Sequence, residues 1–155
     1  MLRITRQADY GIVLMTLFGG KNETAVLSAR EMAEGSNLPL PTVSKILKCL
    51  TRGGVLKSTR GVKGGYSLAR ASNEISITNI IEAVEGPIAI TDCLDEQSKD
   101  CLIQDTCPCK QNWNRINEAV RSALSGVRLS DMAIGCKVEA LIGTTEESDE
   151  NHELA

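Results

Sequence analysis

The fold is decided by residues 41–68, which read PTVSKILKCLTRGGVLKSTRGVKGGYSL. In the first half of this stretch, apolar side chains recur at positions i, i+3, i+4 and i+7, as on the buried face of an amphipathic helix. These positions hold Val43, Ile46, Leu47 and Leu50. Gly53-Gly54 ends the helix, and two short strands are predicted at 55–59 and 66–68, joined by a glycine-rich turn. The stretch therefore predicts a helix followed by a β-hairpin.

Two helices are predicted before this stretch, and a third directly follows it. The first covers about residues 7–18, where apolar side chains recur at helical spacing. The second begins after Ser28, and Glu31 three residues later completes a capping box. A further helix is predicted at about 78–85. This order is that of a winged helix-turn-helix domain, so the predicted fold is mainly α with a small β-hairpin wing.

The charge is distributed unevenly along the chain. Residues 1–70 contain eleven Lys or Arg and four acidic residues, whereas residues 71–155 contain six Lys or Arg and sixteen acidic residues. A basic half of this kind favours a polyanion as its partner. A solvated surface that happens to be polarised is the alternative interpretation.

No membrane-spanning or secretory segment is predicted. The apolar run at 11–18 follows Arg3 and Arg6, but it is far shorter than the ~20 residues that a membrane helix needs. No small-residue cleavage site follows it. We therefore expect a cytoplasmic protein with no membrane partner.

The sequence also argues against an enzyme. It offers no nucleophile–base pair, and the glycine turn lacks the Lys-Ser/Thr that follows a phosphate-binding loop. The one histidine, His152, lies in an acidic tail. We therefore predict neither catalysis nor electron transfer.

Two groups of polar side chains predict a contact with double-stranded DNA. The free face of the helix at 41–52 carries short hydroxyls and cations, which can meet base edges and phosphates: Thr42, Ser44, Lys45, Lys48 and Arg52. The turn at 60–65 adds Arg60 and Lys63 among three glycines, a composition typical of a wing that approaches DNA closely. For the helix alone, an ordinary solvated face is the alternative.

Four cysteines lie close together in the second half of the chain: Cys93, Cys101, Cys107 and Cys109. Closely spaced thiols in a reducing compartment favour a metal or iron–sulfur site over disulfides. The spacing differs from that of a zinc ribbon, whereas iron–sulfur clusters are held by cysteines at variable spacings. Four thiolates could still bind zinc, so composition leaves both options open.

A long helix is predicted from about Lys110. Its apolar side chains form one stripe, namely Trp113, Ile116, Val120, Ala123 or Leu124, and Val127. In a chain this small, such a helix needs a partner to cover it, most simply the same helix of a second subunit.

Three stretches of the chain together resemble the Rrf-type winged-helix transcription regulators, which include the IscR and NsrR sensors. They are the opening residues 2–10, the helix at 40–50, and the wing at 60–70, which reads RGVKGGYSLAR. The resemblance covers about residues 1–132, and the wing is its most specific element. Among the branches, the chain is most similar to regulators of the SUF iron–sulfur assembly system.

The resemblance implies a homodimer that binds a near-palindromic operator under the control of a 2Fe-2S or 4Fe-4S cluster. Cys93, Cys101 and Cys107 match the three cluster cysteines of the family. The first gap is longer than in many relatives, and Lys110 stands where some relatives have a histidine ligand. Cys109 is our expected fourth ligand, and Asp9, reaching from the other subunit, is the alternative.

These expectations divide the chain into four regions: a winged helix-turn-helix domain at 1–86, a cysteine-rich loop at 87–109, a dimerisation helix at 110–135 and an acidic, disordered tail at 136–155. The predicted function is transcription regulation by sensing cluster status. A regulator of the same fold whose cysteines bind zinc, or sense thiol oxidation or nitric oxide, is the alternative. Repression and activation are not distinguished.

Overall fold

The computed structural model describes residues 3–19, 21–22, 24–95, 101–103 and 105–135. Its elements follow in the order α1 (Arg6–Thr16), α2 (Ala29–Ser36), α3 (Leu40–Arg52), β1 (Leu56–Thr59), β2 (Gly65–Leu68), α4 (Ile77–Glu85), α5 (Lys110–Ser125) and α6 (Leu129–Gly135), with 3-10 turns at Ser72–Glu74 and Asp92–Leu94. No helix in the described part of the chain is long and apolar enough to cross a membrane. The predicted acidic tail at 136–155 lies outside the described residues.

Helix α3 lies at the centre of the fold and contacts α1, α2, α4 and β1. Its predicted apolar stripe is confirmed, because Val43, Leu47 and Leu50 are 0% exposed and Ile46 is 1% exposed. Burying one such side chain contributes about 1.5–3 kcal/mol. Rotation of α3 about its axis would expose this stripe, so the burial fixes which face of the helix points outward.

The helix starts follow local capping chemistry. Ser28 Oγ accepts from the Glu31 N–H at 3.2 Å, and Glu31 Oε2 accepts from the Ser28 N–H at 2.7 Å, so the predicted capping box is confirmed. The backbone hydrogen bond from Ser28 lowers the pKa of Glu31. Helix α4 begins with a second box, between Ser76 and Asn79, one residue earlier than the periodicity predicts.

The wing is an antiparallel hairpin with a third backbone segment beside it. Strands β1 and β2 pair with Leu56 opposite Leu68. On the other edge of β2, Leu27 and Tyr66 exchange backbone hydrogen bonds of 2.9 and 2.8 Å. In the turn, Gly61 has a φ of +116°, a conformation that glycine adopts without strain. The predicted hairpin is therefore present and anchored to the segment that precedes α2.

The prediction of one continuous dimerisation helix at 110–135 is wrong, because the segment forms two helices. Helix α5 ends at Ser125, and α6 starts at Leu129. Between them, the chain pairs with the segment before α4: the Ile77 N–H donates to Val127 O at 3.0 Å, and the Leu129 N–H donates to Ile75 O at 2.8 Å. Leu129 is 1% exposed and belongs to the core. Its burial favours the return of the chain to the winged-helix domain over continuation of α5.

The C-terminal half of α5 is held against α4 by polar contacts. Arg121 Nε donates to Glu82 Oε1 at 2.9 Å, and this bond raises the pKa of Arg121. Thr78 Oγ1 and Ser125 Oγ share a hydrogen bond of 2.9 Å. The first contact is exposed and contributes little to stability, but together the two fix how α5 lies on α4.

Replacing Gly53 with Ala should destabilise the fold, because α3 and α4 approach each other closely there. A methyl group on Gly53 would overlap the Ala83 side chain and lie 2.9 Å from Ala83 Cα, so the two helices would have to separate. We expect the free energy of unfolding, measured by urea denaturation, to fall by ~1–3 kcal/mol.

Gly126→Ala is the matched control for this change. Gly126 has a helical φ of −72°, and the nearest atom to an added methyl is Ala123 O of the same helix, at 3.3 Å. We expect this variant to stay within ~0.5 kcal/mol of the unaltered protein. Equal losses in the two variants would contradict the close approach of α3 and α4.

Candidate DNA-binding surface and cysteine site

The structure places all five predicted DNA-contacting residues of the helix on α3. Lys45, Lys48 and Arg52 are exposed, whereas Thr42 and Ser44 are half-buried. They share the side of α3 that its buried stripe leaves free. Arg52 also donates to Cys49 Sγ at 3.7 Å. A helix face with three cations and two short hydroxyls can donate to phosphates and to base edges in the major groove.

The wing carries the other two predicted contacts. Arg60 and Lys63 are both exposed in the turn between β1 and β2. Flexible cations of this kind suit phosphate oxygens, and they also suit the negative potential of a narrow minor groove. The contacts themselves stay predictions, because the structure contains the protein alone.

Two apolar residues on these elements were missed by the sequence reading. Leu40 is exposed at the start of α3, and Val62 is fully exposed at the tip of the wing. Exposed apolar groups at such positions can contact thymine methyls or sugar edges in DNA. In the sequence they were indistinguishable from core residues, because only the fold shows that nothing in the described protein covers them.

The four clustered cysteines are all free thiols. Cys93 lies in the 3-10 turn Asp92–Leu94, and its Sγ is 3.2 Å from Thr91 Oγ1. Cys101 and Cys107 are half-buried like Cys93. Cys109 is exposed and occupies the N-cap position of α5 without a side-chain capping hydrogen bond. One loop and the residue that precedes α5 therefore supply all four sulfurs.

The donor set fits an iron–sulfur cluster chemically, since cysteine thiolates are its standard ligands. Within the described residues, which omit 96–100 and 104, no three His, Cys, Asp or Glu side chains are grouped like the ligands of a metal ion. Asp9 is exposed in the first turn of α1. Its expected approach to the cysteines of a second subunit stays a prediction.

An asparagine on α5 connects this helix to the start of the cysteine loop. Asn117 Oδ1 accepts from the Ile90 N–H at 3.1 Å, and Asn117 Nδ2 donates to Ile88 O at 2.9 Å. The sequence reading missed this residue, because a lone asparagine on a helix has no pattern that separates it from a solvated one.

The outer face of α5 is apolar and open. A shallow groove of about 590 Å³ is lined by Asn112, Arg115, Ile116, Ala119, Val120 and Ala123. Ile116 is 45% exposed. Of the two predicted alternatives for the stripe, Ala123 lies on this face, whereas Leu124 packs against the core. Val127, also predicted in the stripe, lies beyond the end of α5.

Comparison with known proteins finds one family along most of the chain. Residues 4–134 match the profile of Rrf2, described as an iron-dependent transcriptional regulator. The transcriptional regulator CymR of Bacillus subtilis is 29% identical over 133 residues, which are 85% of this chain and 90% of CymR.

Two solved structures share the fold. The structure of CymR, the global cysteine regulator of B. subtilis, has a TM-score of 0.68 at 30% identity and covers 86% of this chain and 98% of its own. The structure of T. potens IscR has a TM-score of 0.65 at 25% identity, with 92% and 93% covered. The predicted winged-helix fold is thereby confirmed.

Removing the cations of this surface should weaken DNA binding in two distinguishable ways. Lys45→Ala and Lys48→Ala should each cost ~1–3 kcal/mol on a preferred sequence if the side chain reads a base. Arg60→Ala and Lys63→Ala should lower the slope of log affinity against log salt by about 1 each if they contact phosphate. Fluorescence anisotropy with DNA selected by the protein from a random pool measures both quantities.

Lys110→Ala is the control, since Lys110 is exposed but lies outside α3 and the wing. It removes one positive charge without touching the proposed surface, so affinity and salt slope should change little. If all four variants behave like this control, DNA is bound elsewhere on the protein.

Proposed function

Because the chain belongs to the Rrf2 family of transcriptional regulators, we propose that it is a cytoplasmic, homodimeric DNA-binding regulator that senses iron–sulfur cluster status. Its family and relatives are regulators rather than enzymes. The observation that carries the proposal is the cysteine loop: four free thiols lie within one segment that α5 links to the winged-helix domain.

The proposed ligands are Cys93, Cys101 and Cys107, with Cys109 as the fourth. The first three are half-buried, which shields a bound group partly from solvent. Cys109 stands at the N-terminus of α5, next to the loop that carries the other three cysteines. A bound cluster would supply a redox-sensitive and oxygen-sensitive group there, while the chain positions the sulfurs. Asp9 of a second subunit is the alternative fourth ligand.

The proposed homodimer uses the open face of α5. An apolar groove in water costs free energy that a second copy of the same helix removes. In a symmetric pair, each α5 would cover the other, and the two α3 helices would face two half-sites of a near-palindromic operator. The basic surface of α3 and the wing lies on other elements, so both surfaces can be occupied together.

The proposed targets are genes of the SUF iron–sulfur assembly system. This part rests on the resemblance of the sequence as a whole to that branch of the family. Fragments of genomic DNA that the purified protein enriches would test it directly. Enrichment of promoters unrelated to iron–sulfur assembly would overturn the target while leaving the DNA-binding function intact.

A second candidate function is a regulator whose thiols bind zinc or undergo oxidation. The observations that favour it are the five free cysteines among the described residues and the likeness to CymR, a cysteine regulator by name. Four thiolates satisfy tetrahedral zinc, and an exposed thiol such as Cys109 is open to oxidants.

Anaerobic purification should give a brown protein that contains iron and acid-labile sulfide. Changing Cys93, Cys101 or Cys107 to Ser should each abolish or strongly reduce the iron content, because the loss of one thiolate leaves too few anchors. Cys49→Ser is the matched control, since Cys49 lies on α3, outside the loop. A colourless protein with stoichiometric zinc would favour the second candidate function.

Two further variants identify the fourth ligand. Cys109→Ser should change the absorption spectrum if Cys109 binds the cluster, and Asp9→Ala should leave it unaltered. The opposite pattern would assign the position to Asp9. Native spectra in both variants would show that neither residue is the ligand.

Charges on the outer face of α5 should separate the dimer. Changing Ile116 and Val120 together to Glu places two carboxylates in the proposed interface, where unpaired charges are costly. We expect a monomer in sedimentation velocity, with operator affinity reduced at least ~10-fold, since one half-site is lost. Ser122→Glu is the control, because Ser122 is exposed but does not line the groove. A dimer that persists in the double variant would give this face another role.

A further inference from the structure

Asn117 joins the segment at 88–90, which has no regular secondary structure, to α5 by hydrogen bonds. Its side-chain amide donates to Ile88 O at 2.9 Å and accepts from the Ile90 N–H at 3.1 Å. It thus satisfies one backbone acceptor and one backbone donor, as a neighbouring strand would. Asn117 is half-buried, so these bonds are partly shielded from competition by water.

Cys93 lies close to this attachment along the chain. Cys93 follows Ile90 by three residues, and the Leu94 N–H donates to Thr91 O at 3.0 Å, which closes the turn that contains the cysteine. The Cys93 sulfur lies 3.2 Å from Thr91 Oγ1. The turn also contacts α5. Only a few residues, stabilised by the hydrogen bond of the turn, therefore separate the backbone that Asn117 contacts from the Cys93 thiol.

Helix α5 connects the segment that carries this thiol to α4. Cys109 occupies its N-cap position, and Arg121 and Ser125 hold its other half to α4. Asn117, Arg121 and Ser125 are spaced four residues apart and so lie along one side of the helix. Asn117 consequently stands between the cysteine site and the contact with α4.

We infer that Asn117 is a positioning residue of the cysteine site: it holds Cys93 at a fixed place relative to Cys109 and α4. The role of that site rests on the proposed function, but the attachment itself does not depend on what the cysteines bind. A ligand fixed before binding loses less conformational entropy when a metal or cluster binds. Without Asn117, the segment from 88 to 93 loses its two side-chain hydrogen bonds to α5 and keeps only the contact between the 3-10 turn and this helix.

The reduced protein without metal tests the attachment directly. Asn117→Ala removes both hydrogen bonds, whereas Asn117→Asp keeps an acceptor for Ile90 and faces the Ile88 carbonyl with a carboxylate oxygen. We expect iodoacetamide to alkylate Cys93 roughly fivefold faster or more in both variants, the factor that follows from losing about one ordinary hydrogen bond. Mass spectrometry resolves the rate for each cysteine.

Two internal comparisons separate this role from general stability. Cys49, on α3, should keep its alkylation rate in both variants. Asn114→Asp adds the same charge to an exposed site on α5 and should leave Cys93 unchanged. An unchanged Cys93 rate in both Asn117 variants would overturn the inference. Equal acceleration at Cys49 and Cys93 in both would do the same, because it would mean that Asn117 supports the whole fold.

A second readout concerns the bound group. After anaerobic reconstitution with iron and sulfide, Asn117→Ala should alter the visible circular dichroism relative to the unaltered protein, while Asn114→Asp should not. If the unaltered protein acquires no cluster, the proposed cofactor fails, yet the alkylation rates still decide the role of Asn117. If the cluster forms and the spectra of the Asn117 and unaltered proteins coincide, the positioning role is wrong.

Discussion

The burial of the apolar stripe of α3 is the constraint on which the rest of the structure depends. Its four side chains are at most 1% exposed, and α1, α2, α4 and β1 contact this helix. Because the stripe is inside, the cations on the free side must face outward, and β1 follows directly with the wing. The same packing brings α4 against α3 at Gly53. A displacement of α4 would therefore also shift α3, which carries the surface proposed to bind DNA.

Helix α5 connects the proposed cysteine site, the proposed dimer interface and the winged-helix domain, because its different sides contact different parts of the molecule. One side carries Asn117 and Arg121, which contact the segment before Cys93 and α4, respectively. The opposite side is the open groove around Ile116. In the proposed dimer, a change at the cysteines would therefore act on α4 and on the proposed dimer interface through one helix. When two binding sites are coupled in this way, binding at either site changes the affinity of the other by the same factor.

Local chemistry made part of this architecture predictable. The α3 stripe and the Ser28 capping box are encoded within a few residues, and both are confirmed. The break after Ser125 was missed, because the apolar period continues through Val127 while Leu129 is drawn into a core formed by distant residues. Periodicity also could not decide which of the neighbours Ala123 and Leu124 faces the open groove and which packs against the core. The role of Asn117 could not be predicted from the sequence, since its hydrogen-bond partners are backbone groups 27 and 29 residues away. The relative placement of the four cysteines depends on the path of a loop, which no sequence period encodes.

The central claim is that the state of the cysteine site changes how the protein binds DNA. The most direct measurement compares the affinity of one anaerobic preparation for its selected DNA before and after removal of the cluster, at one fixed salt concentration. We predict a difference of at least ~10-fold, or about 1.4 kcal/mol of coupling. Equal affinities for the same sequence in the two states would contradict it.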